Sequence, residues 1–393
     1  MDFALAETQE LLRKTARGFL TERSKPAYVR AMAEDERGYG DDFWHDVAAL
    51  GWLGLLIPES YGGAGLSLSD MAVLLEEWGA AVAPGPLVES AVIGSLALSM
   101  FGTDRQKVEW LPQIASGDAV LVPALYEDGG GWSASPSSVV ASQVARVPHP
   151  DPLPVGEGTA SRVAGGWSLS GSKTFVTYAN TAKAMIVSAA VGSAGGAPGL
   201  FIVPTSAEHV APTRLQSASG VPTYRVDFED TVVAESQRLG GHEDGAHVIS
   251  RLLHIGAAAR AVQMAGAARR VLEMTVQYVS ARQQFGKPIG AYQAIQHKCA
   301  EMASSLQGAR LAAYRAAYAL GEGRPAGREV AIAKIAMNEA LPRICSVAHQ
   351  CHGAIGFTWE HDLHLFTRRS VAWRAEYGDT VAHREALAVE MGI

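Results

Sequence analysis

The chain has 393 residues, enough for two or three structural units around a large buried core. Hydrophobic residues make up 48% and charged residues 19%, a balance typical of globular proteins. The net charge of -7 gives no reason to expect a nucleic acid or an anionic membrane as a partner. The N-terminus lacks the basic start of a signal peptide, and no run of about 18 apolar residues occurs, so neither a secretory signal nor a membrane span is expected.

Cysteine and histidine usage argues against a disulfide framework and against a metal centre. The three cysteines, Cys299, Cys345 and Cys351, are an odd number in an apparently helical region, which favours reduced thiols and a cytoplasmic location. The 12 histidines do not cluster as metal ligands do. His361 and His364 share one helix face, but two histidines without further ligands make a poor metal site, so no metal is predicted.

Residues 1–118 are predicted to form helices, because apolar residues recur there at roughly helical spacing. The segment 67–84, "SLSDMAVLLEEWGAAVAP", begins with serines suited to capping and carries its apolar side chains on one face. This helix should stop before Pro84. The longest apolar run, "AVIGSLALSM" at 91–100, is too short to span a membrane and is predicted to be a buried helix.

Residues 119–241 change character and predict an antiparallel β domain. Short β-branched or alternating runs are separated there by glycines and prolines: "AVLVPALYE", "WSLSGSKTFVTYA", "KAMIVSAAV", "GLFIVP" and "TYRVDFEDTVV". Within this region the segment 147–160, "VPHPDPLPVGEGTA", has four prolines in fourteen residues and no periodicity. That segment is predicted to be a surface loop.

Residues 242–393 return to a helical pattern. The stretch "AAARAVQMAGAARRVLEMTVQYVSARQ" is rich in alanine and has little to break it before Gly286. A second stretch, "REVAIAKIAMNEALPRICSVAHQ", is similar, although Pro342 should kink or divide it. Small residues at this density let helices pack closely, so a helical bundle is expected. The order of helical, strand-rich and helical regions predicts an α+β fold.

One stretch, "SARQQFGKPIGAYQAIQHKCAEM" at 280–302, contains residues that a core helix does not need. Arg282 presents a rigid fork of donors that matches phosphate oxygens. Phe285 can cover a ring, and Gly286 lets the chain turn where a side chain would clash. Gln293 could add a polar contact. A lone arginine at a helix end is more often a solvated charge, but the whole string together favours a binding site.

The absence of βαβ units argues against a Rossmann nucleotide-binding fold. The chain instead resembles the acyl-CoA dehydrogenase family of flavoproteins over nearly its whole length. Four parts carry the resemblance: 51–79, "GWLGLLIPESYGGAGLSLSDMAVLLEEWG"; 122–132, "VPALYEDGGGW", with 167–180, "WSLSGSKTFVTYAN"; the 280–302 stretch; and 350–369, "QCHGAIGFTWEHDLHLFTRR". It implies an N-terminal helical domain (1–118), a middle antiparallel β-barrel or sandwich domain (119–241) and a C-terminal four-helix bundle (242–393).

The resemblance also implies FAD as the cofactor. Leu125 and Tyr126 would take the pyrimidine side of the flavin ring. Phe175, Val176 and Thr177 would take the side of its N5 atom. The Arg-x-x-Phe-Gly element and the later glycine turn would bind other parts of the cofactor, in part across a subunit interface. The residues implied for these contacts are Arg282, Phe285, Gln293, Gln350, Gly353 and Thr380.

Departures from the family pattern fall in the two flavin segments. Phe175 stands where relatives often have tryptophan, and Tyr126 stands where threonine or serine is usual. The usual Gly-Ser-Asp after the first segment is replaced by Gly130-Gly131-Trp132. Contacts that relatives make through Gly-Ser-Asp are therefore not expected in the same form here.

The expected position of the catalytic base also departs from the family pattern. In the family a carboxylate removes the α-proton of an acyl thioester, a weak acid, so the base must be close and desolvated. The two positions that carry the base in relatives correspond here to Tyr377 and Gly256, and neither is a carboxylate. Asp379 follows Gly378 directly and is the favoured candidate, in a string, "GDTVAHRE", that resembles a subgroup with Gly-Asp in this place. Glu376 is the other candidate, and a chain without a base of its own stays an alternative.

These features predict an FAD-dependent acyl-CoA dehydrogenase of fatty acid or lipid catabolism. It would oxidise an acyl-CoA to the 2-enoyl form and pass electrons to an electron-transferring flavoprotein, with a branched, cyclic or otherwise unusual acyl group. A non-catalytic partner subunit of a heteromeric acyl-CoA dehydrogenase and a flavin monooxygenase of the same fold are the alternatives. A homotetramer or dimer is expected, or a heterotetramer with a sister subunit.

Overall fold

The computed structural model describes residues 5–129, 131–132, 134–136, 138–148, 162–240 and 244–393. Most of the segment predicted to be a surface loop, residues 149–160, lies outside the described residues, and so does Gly130. The first two residues of that segment, Val147 and Pro148, end a strand instead.

The N-terminal part of the chain is helical, as its apolar spacing predicts. Its helices are α1 Glu7–Arg23, α2 Pro26–Glu34, α3 Asp41–Ala49, α4 Leu68–Ala80, α5 Ser95–Phe101 and α6 Asp104–Ser116. The Ser67 hydroxyl accepts a hydrogen bond from the Asp70 N–H and caps α4. The apolar run at 91–100 is largely buried, but it begins inside a π-helical segment, Leu87–Gly94, that precedes α5.

The middle of the chain forms a seven-stranded sheet. Its strands are β1 Leu121–Ala124, β2 Val140–Pro148, β3 Arg162–Thr177, β4 Ala184–Val191, β5 Pro198–Pro204, β6 Val210–Leu215 and β7 Thr223–Ala234. Most pairs are antiparallel, as predicted: β2 with β3, β3 with β7, β7 with β6, and β4 with β5. However, β4 pairs in parallel with β1 and with the start of β2. Alternating side chains reveal a strand but not the direction of its partner.

The C-terminal part contains three long helices and two shorter ones. They are α7 Gly245–Ala281, α8 Gln293–Gly321, α9 Gly327–His352, α10 Leu363–Trp373 and α11 Thr380–Glu390. A hairpin, β8 Gln283–Gln284 with β9 Lys287–Pro288, separates α7 from α8. Because α9 packs against all four other helices or their ends, the bundle is larger than the four helices implied by the resemblance. Helix α9 also continues through Pro342 without division, since packing on α7 and α8 offsets the lost backbone hydrogen bond.

Glycines allow the N-terminal and C-terminal helices to pack closely. A Cβ at Gly79 of α4 would overlap the Gln263 carbonyl, and a Cβ at Gly266 of α7 would overlap the Glu76 carbonyl. Any larger side chain would push the two backbones apart. This crossing therefore fixes the buried middle of α7 against α4.

Three features bear on the predicted absences. Across the described residues, no helix has both the length and the apolar character that a membrane span needs. Within the same part of the chain, no group of three or more His, Cys, Asp or Glu side chains could hold a metal ion. All three cysteines are free thiols, and Cys345 and Cys351 are buried.

Candidate active site

A cavity of about 580 Å³ lies between the sheet and the last two helices, α10 and α11. Its volume is in the range of small-molecule sites. Its lining includes Tyr126, Trp132, Phe175, Thr177 and Leu215–Ser219 from the β domain, and Val371, Ala372, Ala375, Glu376, Gly378, Asp379 and Ala382 from the helical side. Sequence-predicted flavin residues and both candidate bases therefore share one cavity.

Phe175 reaches the cavity because β3 has an irregularity there. The pairing of β3 with β7 shifts register between Lys173 and Val176, and Phe175 has a φ of 55°. A bulge of this kind re-aims a side chain. The Phe175 ring is accordingly 50% exposed, whereas Val176 beside it is buried. The Thr174 N–H donates to the Tyr126 carbonyl at 3.1 Å and ties the bulge to the first flavin segment.

A row of aromatic rings forms one side of the cavity. The ring centroids of Phe175 and Tyr126 lie 5.0 Å apart, and those of Tyr126 and Trp132 lie 5.2 Å apart. Trp132 then contacts Tyr377 at 4.8 Å, and its indole N–H donates to the Ala375 carbonyl at 2.9 Å. Pairs at these separations are stabilising beyond simple burial. Trp132 therefore links the β domain to the loop that carries the candidate bases.

A buried ion pair supports this wall from behind. The Lys173 ammonium donates to Glu127 Oε1 at 2.5 Å and to the Ser188 hydroxyl at 2.8 Å. The other contacts of the Glu127 carboxylate include the N–H groups of Ser138 and Val139. Burial lowers the pKa of Lys173 to about 8, while Glu127 opposes that shift. The pair fixes the residue after Tyr126 to β3, two positions before Phe175.

The loop between α10 and α11 carries both candidate carboxylates. Tyr377 and Gly378 have φ values of 56° and 105°, in the region that side chains disfavour. Glu376 precedes this turn and its side chain is 17% exposed, while Asp379 follows the turn and is exposed. The turn allows both side chains to line the cavity although the buried Tyr377 lies between them.

Glu376 belongs to a buried charge network. Arg260 of α7 contacts Glu376 at 2.7 Å and Glu89 at 2.8 Å through the same Nη2 atom. Burial raises the pKa of Glu89; the Arg260 charge opposes that shift and the negative charge of Glu376 adds to it. The Thr177 hydroxyl donates to Glu89 at 3.3 Å. Two carboxylates thus share one arginine directly beneath a predicted flavin residue.

Asp379 has a different environment from Glu376. It is the N-cap of α11, and its Oδ1 accepts a hydrogen bond from the Ala382 N–H at 2.9 Å. An acidic side chain at this position satisfies an unpaired N–H and the positive end of the helix dipole. No ion pair of Asp379 occurs within the described residues. Thr380, a predicted cofactor residue, is the first residue of α11.

The two positions where the family resemblance leads one to expect a base, 256 and 377, lie against each other. A Cβ on Gly256 would lie 2.7 Å from ring carbons of Tyr377. Tyr377 is 5% exposed, so its ring occupies the space beside α7 that a carboxylate at either position would need. Glu376 and Asp379 are therefore the carboxylates that line the cavity in the described structure.

The Arg-x-x-Phe-Gly element forms the hairpin of β8 and β9. Gln284 pairs with Lys287, so Phe285 and Gly286 are a two-residue loop, with φ values of 53° and 81°. Positive φ at both loop residues is the pattern of a type I′ turn, which suits a tight hairpin. The Phe285 ring at the tip is 91% exposed. Among the described residues, the Arg282 guanidinium has no carboxylate partner.

The remaining predicted cofactor residues lie at neighbouring helix ends. Tyr278 near the end of α7 stacks on His352 at the end of α9, with centroids 4.5 Å apart. Lys298 of α8 donates to the exposed Gln350 of α9 at 2.5 Å. Three helix ends thus bring together a second set of predicted residues, outside the cavity: Arg282, Phe285, Gln293, Gln350 and Gly353. Leu125 and Val176 belong to neither set, because their side chains are in the core.

The residues present fit FAD at both places. An aromatic wall with a half-exposed ring and a cavity of about 580 Å³ suit a flat isoalloxazine ring. An exposed guanidinium that lacks a carboxylate partner in the described structure suits a phosphate, and an exposed phenyl ring at a hairpin tip suits a second flat ring. The donor set and shapes therefore agree with the cofactor implied by the sequence.

Sequence reasoning missed the charge network under the cavity. Glu89 stands in the apolar string "PLVESAVIG" and Arg260 in the alanine-rich string "GAAARAVQ". A charged residue inside an apolar run is almost never fully buried unless it is paired, which was the available signal. It could not show that these two residues, 171 positions apart, are partners.

Comparisons with known proteins identify the family of the chain. Family models for the acyl-CoA dehydrogenase N-terminal and C-terminal domains match residues 6–118 and 243–392. The chain is 32% identical over 378 residues to benzylmalonyl-CoA dehydrogenase of Aromatoleum aromaticum, covering 94% of this chain and 93% of that protein.

Two solved structures extend the comparison to the fold. A chain of the ChsE4–ChsE5 complex from Mycobacterium tuberculosis superposes with a TM-score of 0.87 at 26% identity, covering 100% of this chain and 99% of that one. An acyl-CoA dehydrogenase complexed with FAD from Bacillus anthracis gives 0.86 at 25% identity, over 98% of this chain and 67% of that one. The present chain therefore belongs to the acyl-CoA dehydrogenase family, whose members bind FAD and are oxidoreductases acting on CH–CH bonds.

Proposed function

We propose that this chain catalyses α,β-dehydrogenation of an acyl-CoA thioester to the 2-enoyl-CoA. The observation that supports this most is the shared cavity, in which the aromatic flavin wall faces Glu376 and Asp379. FAD supplies the acceptor for the hydride that leaves the β-carbon. The residues of the chain would hold the thioester so that its α-carbon lies at a carboxylate and its β-carbon faces the wall.

The wall and the loop have separate roles in this reaction. Phe175 and Tyr126 would form the side of the cavity against which the flavin ring packs, because their rings contact each other and the bulge exposes Phe175 to the cavity. Trp132 closes the wall against the loop and helps exclude water. In a drier site, the interaction between a carboxylate and the acidic α-C–H is stronger.

Asp379 is the base that we favour. The one hydrogen bond of its side chain in the described structure is the N-cap bond to Oδ1, so Oδ2 can accept a proton without breaking an ion pair. Protonation of Glu376 would instead remove one of the two carboxylates that neutralise the buried Arg260. The Gly378-Asp379 pair would then define the subgroup to which the chain belongs.

Anaerobic flavin bleaching tests both the reaction and the base. The FAD-loaded protein is mixed with straight, branched, cyclic and aryl-substituted acyl-CoAs, and flavin absorbance is followed. We expect bleaching by at least one thioester, its loss in Asp379→Asn and its retention in Glu376→Gln. Asparagine is a good N-cap, so D379N removes the base while keeping the start of α11. Bleaching lost only in E376Q would reassign the base, and no bleaching of wild type by any thioester would contradict the reaction.

Other features of the surface and cavity support a substrate class and partners. The aromatic wall and Trp132 support a branched, cyclic or aryl acyl group, and one relative is a benzylmalonyl-CoA dehydrogenase. An electron-transferring flavoprotein is the proposed acceptor. Exposed apolar side chains after α9, Phe357 and Trp359, support subunit contacts in a dimer or tetramer. Reoxidation of the bleached flavin by a purified electron-transferring flavoprotein tests the acceptor.

The second candidate is a partner subunit without catalysis of its own. The observation in its favour is that Tyr377 and Gly256 pack together where relatives carry the base. A structural neighbour, the ChsE4–ChsE5 complex, is assembled from two different chains. In this case, wild-type flavin would be bleached only after a sister chain is added. Co-expression with genes adjacent to that of this chain, followed by co-purification, would supply the sister chain for that measurement.

A further inference from the structure

A buried polar cluster lies behind the loop that carries the two candidate bases. It consists of Lys334 and Asn338, one turn apart on α9, and His383 on α11. Lys334 is 0% exposed, Asn338 2% and His383 8%. None of the three lines the cavity, and the dehydrogenation proposed above assigns none of them a role.

Each member of the cluster contacts a backbone carbonyl of the loop or of the helix end that precedes it. The Lys334 ammonium donates to the Trp373 carbonyl at 2.8 Å and to Asn338 Oδ1 at 2.9 Å. The Asn338 amide reaches the Gly378 carbonyl at 3.5 Å. His383 donates from Nε2 to the Tyr377 carbonyl at 2.9 Å. These contacts hold the end of α10 and the two residues of the turn.

The turn needs such support because its backbone conformation is energetically unfavourable. Tyr377 is not a glycine, yet its φ is 56°, and conformations of this kind persist only where the surroundings over-determine them. The His383 ring also packs on Gly378, where a Cβ would lie 2.7 Å from Nε2. The cluster therefore holds the turn from the side opposite the cavity. In doing so it also sets the directions of the Glu376 and Asp379 side chains, which flank the turn.

The charge of Lys334 is coupled to the same loop. Burial lowers the pKa of Lys334 to about 7, and the negative charges of Glu376 and Asp379 oppose that shift. The other charged or titratable groups that face it are Arg260 of α7, Arg374 of the loop and His383 of α11. Lys334 and Arg260 are thus two buried basic side chains near the carboxylates of the loop.

We propose that Lys334 is a positioning residue of the dehydrogenation reaction, holding the 374–379 loop through Trp373 and Asn338 so that its carboxylates face the cavity. This proposal rests on the proposed function for its effect on rate. The effect of Lys334 on the loop does not depend on the proposed function, because it can be measured without any substrate. A misplacement of about 1 Å at a reacting group costs roughly 100-fold in rate.

Two readouts on the FAD-loaded protein test this role. In Lys334→Met, hydrogen exchange of the 374–383 segment should increase, and flavin reduction at saturating thioester should slow by about 100-fold with thioester affinity unchanged. Asn338→Ala, which keeps the bond from Lys334 to Trp373, should act in the same direction but less strongly. Arg384→Gln is the matched control, because Arg384 links α11 to Glu339 of α9 on their exposed side.

The pH profile separates positioning from general stability. Lys334→Met removes a positive charge that favours the ionised form of the nearby base. In a plot of flavin-reduction rate against pH, the rise that accompanies ionisation of the base should therefore move to higher pH, which a purely structural defect would not do. Lys334→Gln can still donate a hydrogen bond, so it should show the same displacement with a smaller loss of rate. Unchanged exchange of the loop in both K334M and N338A would overturn the proposal, whether or not any thioester reduces the wild-type flavin. Absence of wild-type bleaching alone would count against the proposed function.

Discussion

At position 256, a glycine is required by the ring of Tyr377. A methyl group there would lie 2.7 Å from the ring carbons, so Gly256→Ala should lower the free energy of unfolding by about 1–3 kcal/mol through overpacking. Gly308 of α8 is the control: it is also helical, is exposed, and has no atom within 4 Å of the place that a methyl group would occupy. Gly308→Ala should stabilise by about 0.5–1 kcal/mol. Urea unfolding of both variants gives the comparison, and stabilisation by both would contradict the packing.

Lys334 should also give the chain a characteristic pH dependence of stability. Its pKa is about 7 in the folded chain and 10.5 in the reference state, so the unfolded chain binds more protons between these values. The contribution of Lys334 to stability therefore increases as pH rises from 7, by at most about 1.4 kcal/mol per pH unit. The difference in unfolding free energy between wild type and Lys334→Met should grow accordingly between pH 7 and pH 9, measured by urea unfolding.

Lys173 provides the comparison for that experiment. Burial also lowers its pKa, to about 8, so the difference between wild type and Lys173→Met should likewise grow as pH rises above that value. A flat difference for Lys334→Met would mean that its ammonium stays charged throughout.

At this scale, sequence reasoning proposed residues for the chemistry but did not find the buried cations behind them. Phe175, Glu376 and Asp379 could be named because flavin and acid–base chemistry need an aromatic wall and a carboxylate. Their supports, Arg260 and Lys334, act through contacts with residues far away in the chain. Nothing in local spacing shows which carbonyl or carboxylate a buried cation will meet.

In the hairpin of β8 and β9, we expect substitutions to change the affinity for FAD without changing the stability of the fold. Arg282 and Phe285 are exposed, so their replacement removes no core contact. Arg282→Gln should weaken FAD binding by roughly 10- to 100-fold, the value of one or two charge-assisted hydrogen bonds, with the melting temperature of the apoprotein unchanged. Arg315→Gln on α8, which is equally exposed, is the control. FAD retention by the R282Q protein at the wild-type level on repeated desalting would contradict a phosphate contact.

Elements were predicted more reliably than their connections. The long helices α7 and α9 were predicted from runs of small and apolar residues, and α4 from its serine cap and apolar face. The parallel pairs of β4 were not visible, because pairing direction depends on the path of the chain between strands. The break expected at Pro342 did not occur, because tertiary packing holds the helix on both sides of the proline.

For the whole molecule, the order of helices, sheet and helices determined the fold class, since each layer needs an apolar partner and the three zones offer few arrangements. What the order could not determine is how two distant parts of the site relate. The cavity collects the flavin wall and the carboxylates, whereas Arg282, Phe285, Gln350 and Gly353 gather at the ends of three helices. One arrangement explains both sets. Each extended cofactor would lie in the cavity of one chain and contact the helix-end residues of a neighbouring subunit.

Disruption of subunit contacts should therefore release cofactor. The side chains of Phe357 and Trp359 are 72% and 69% exposed and follow directly after the helix end that carries Gly353. Phe357→Asp should lower the mass measured by light scattering during size-exclusion chromatography and lower the FAD content at the same time, because one interface would carry both. Leu11→Asp, which changes an apolar side chain that is 65% exposed on α1, should alter neither quantity. A lower mass with full FAD content would place the whole cofactor site within one chain, and an unchanged mass would remove this surface from the assembly.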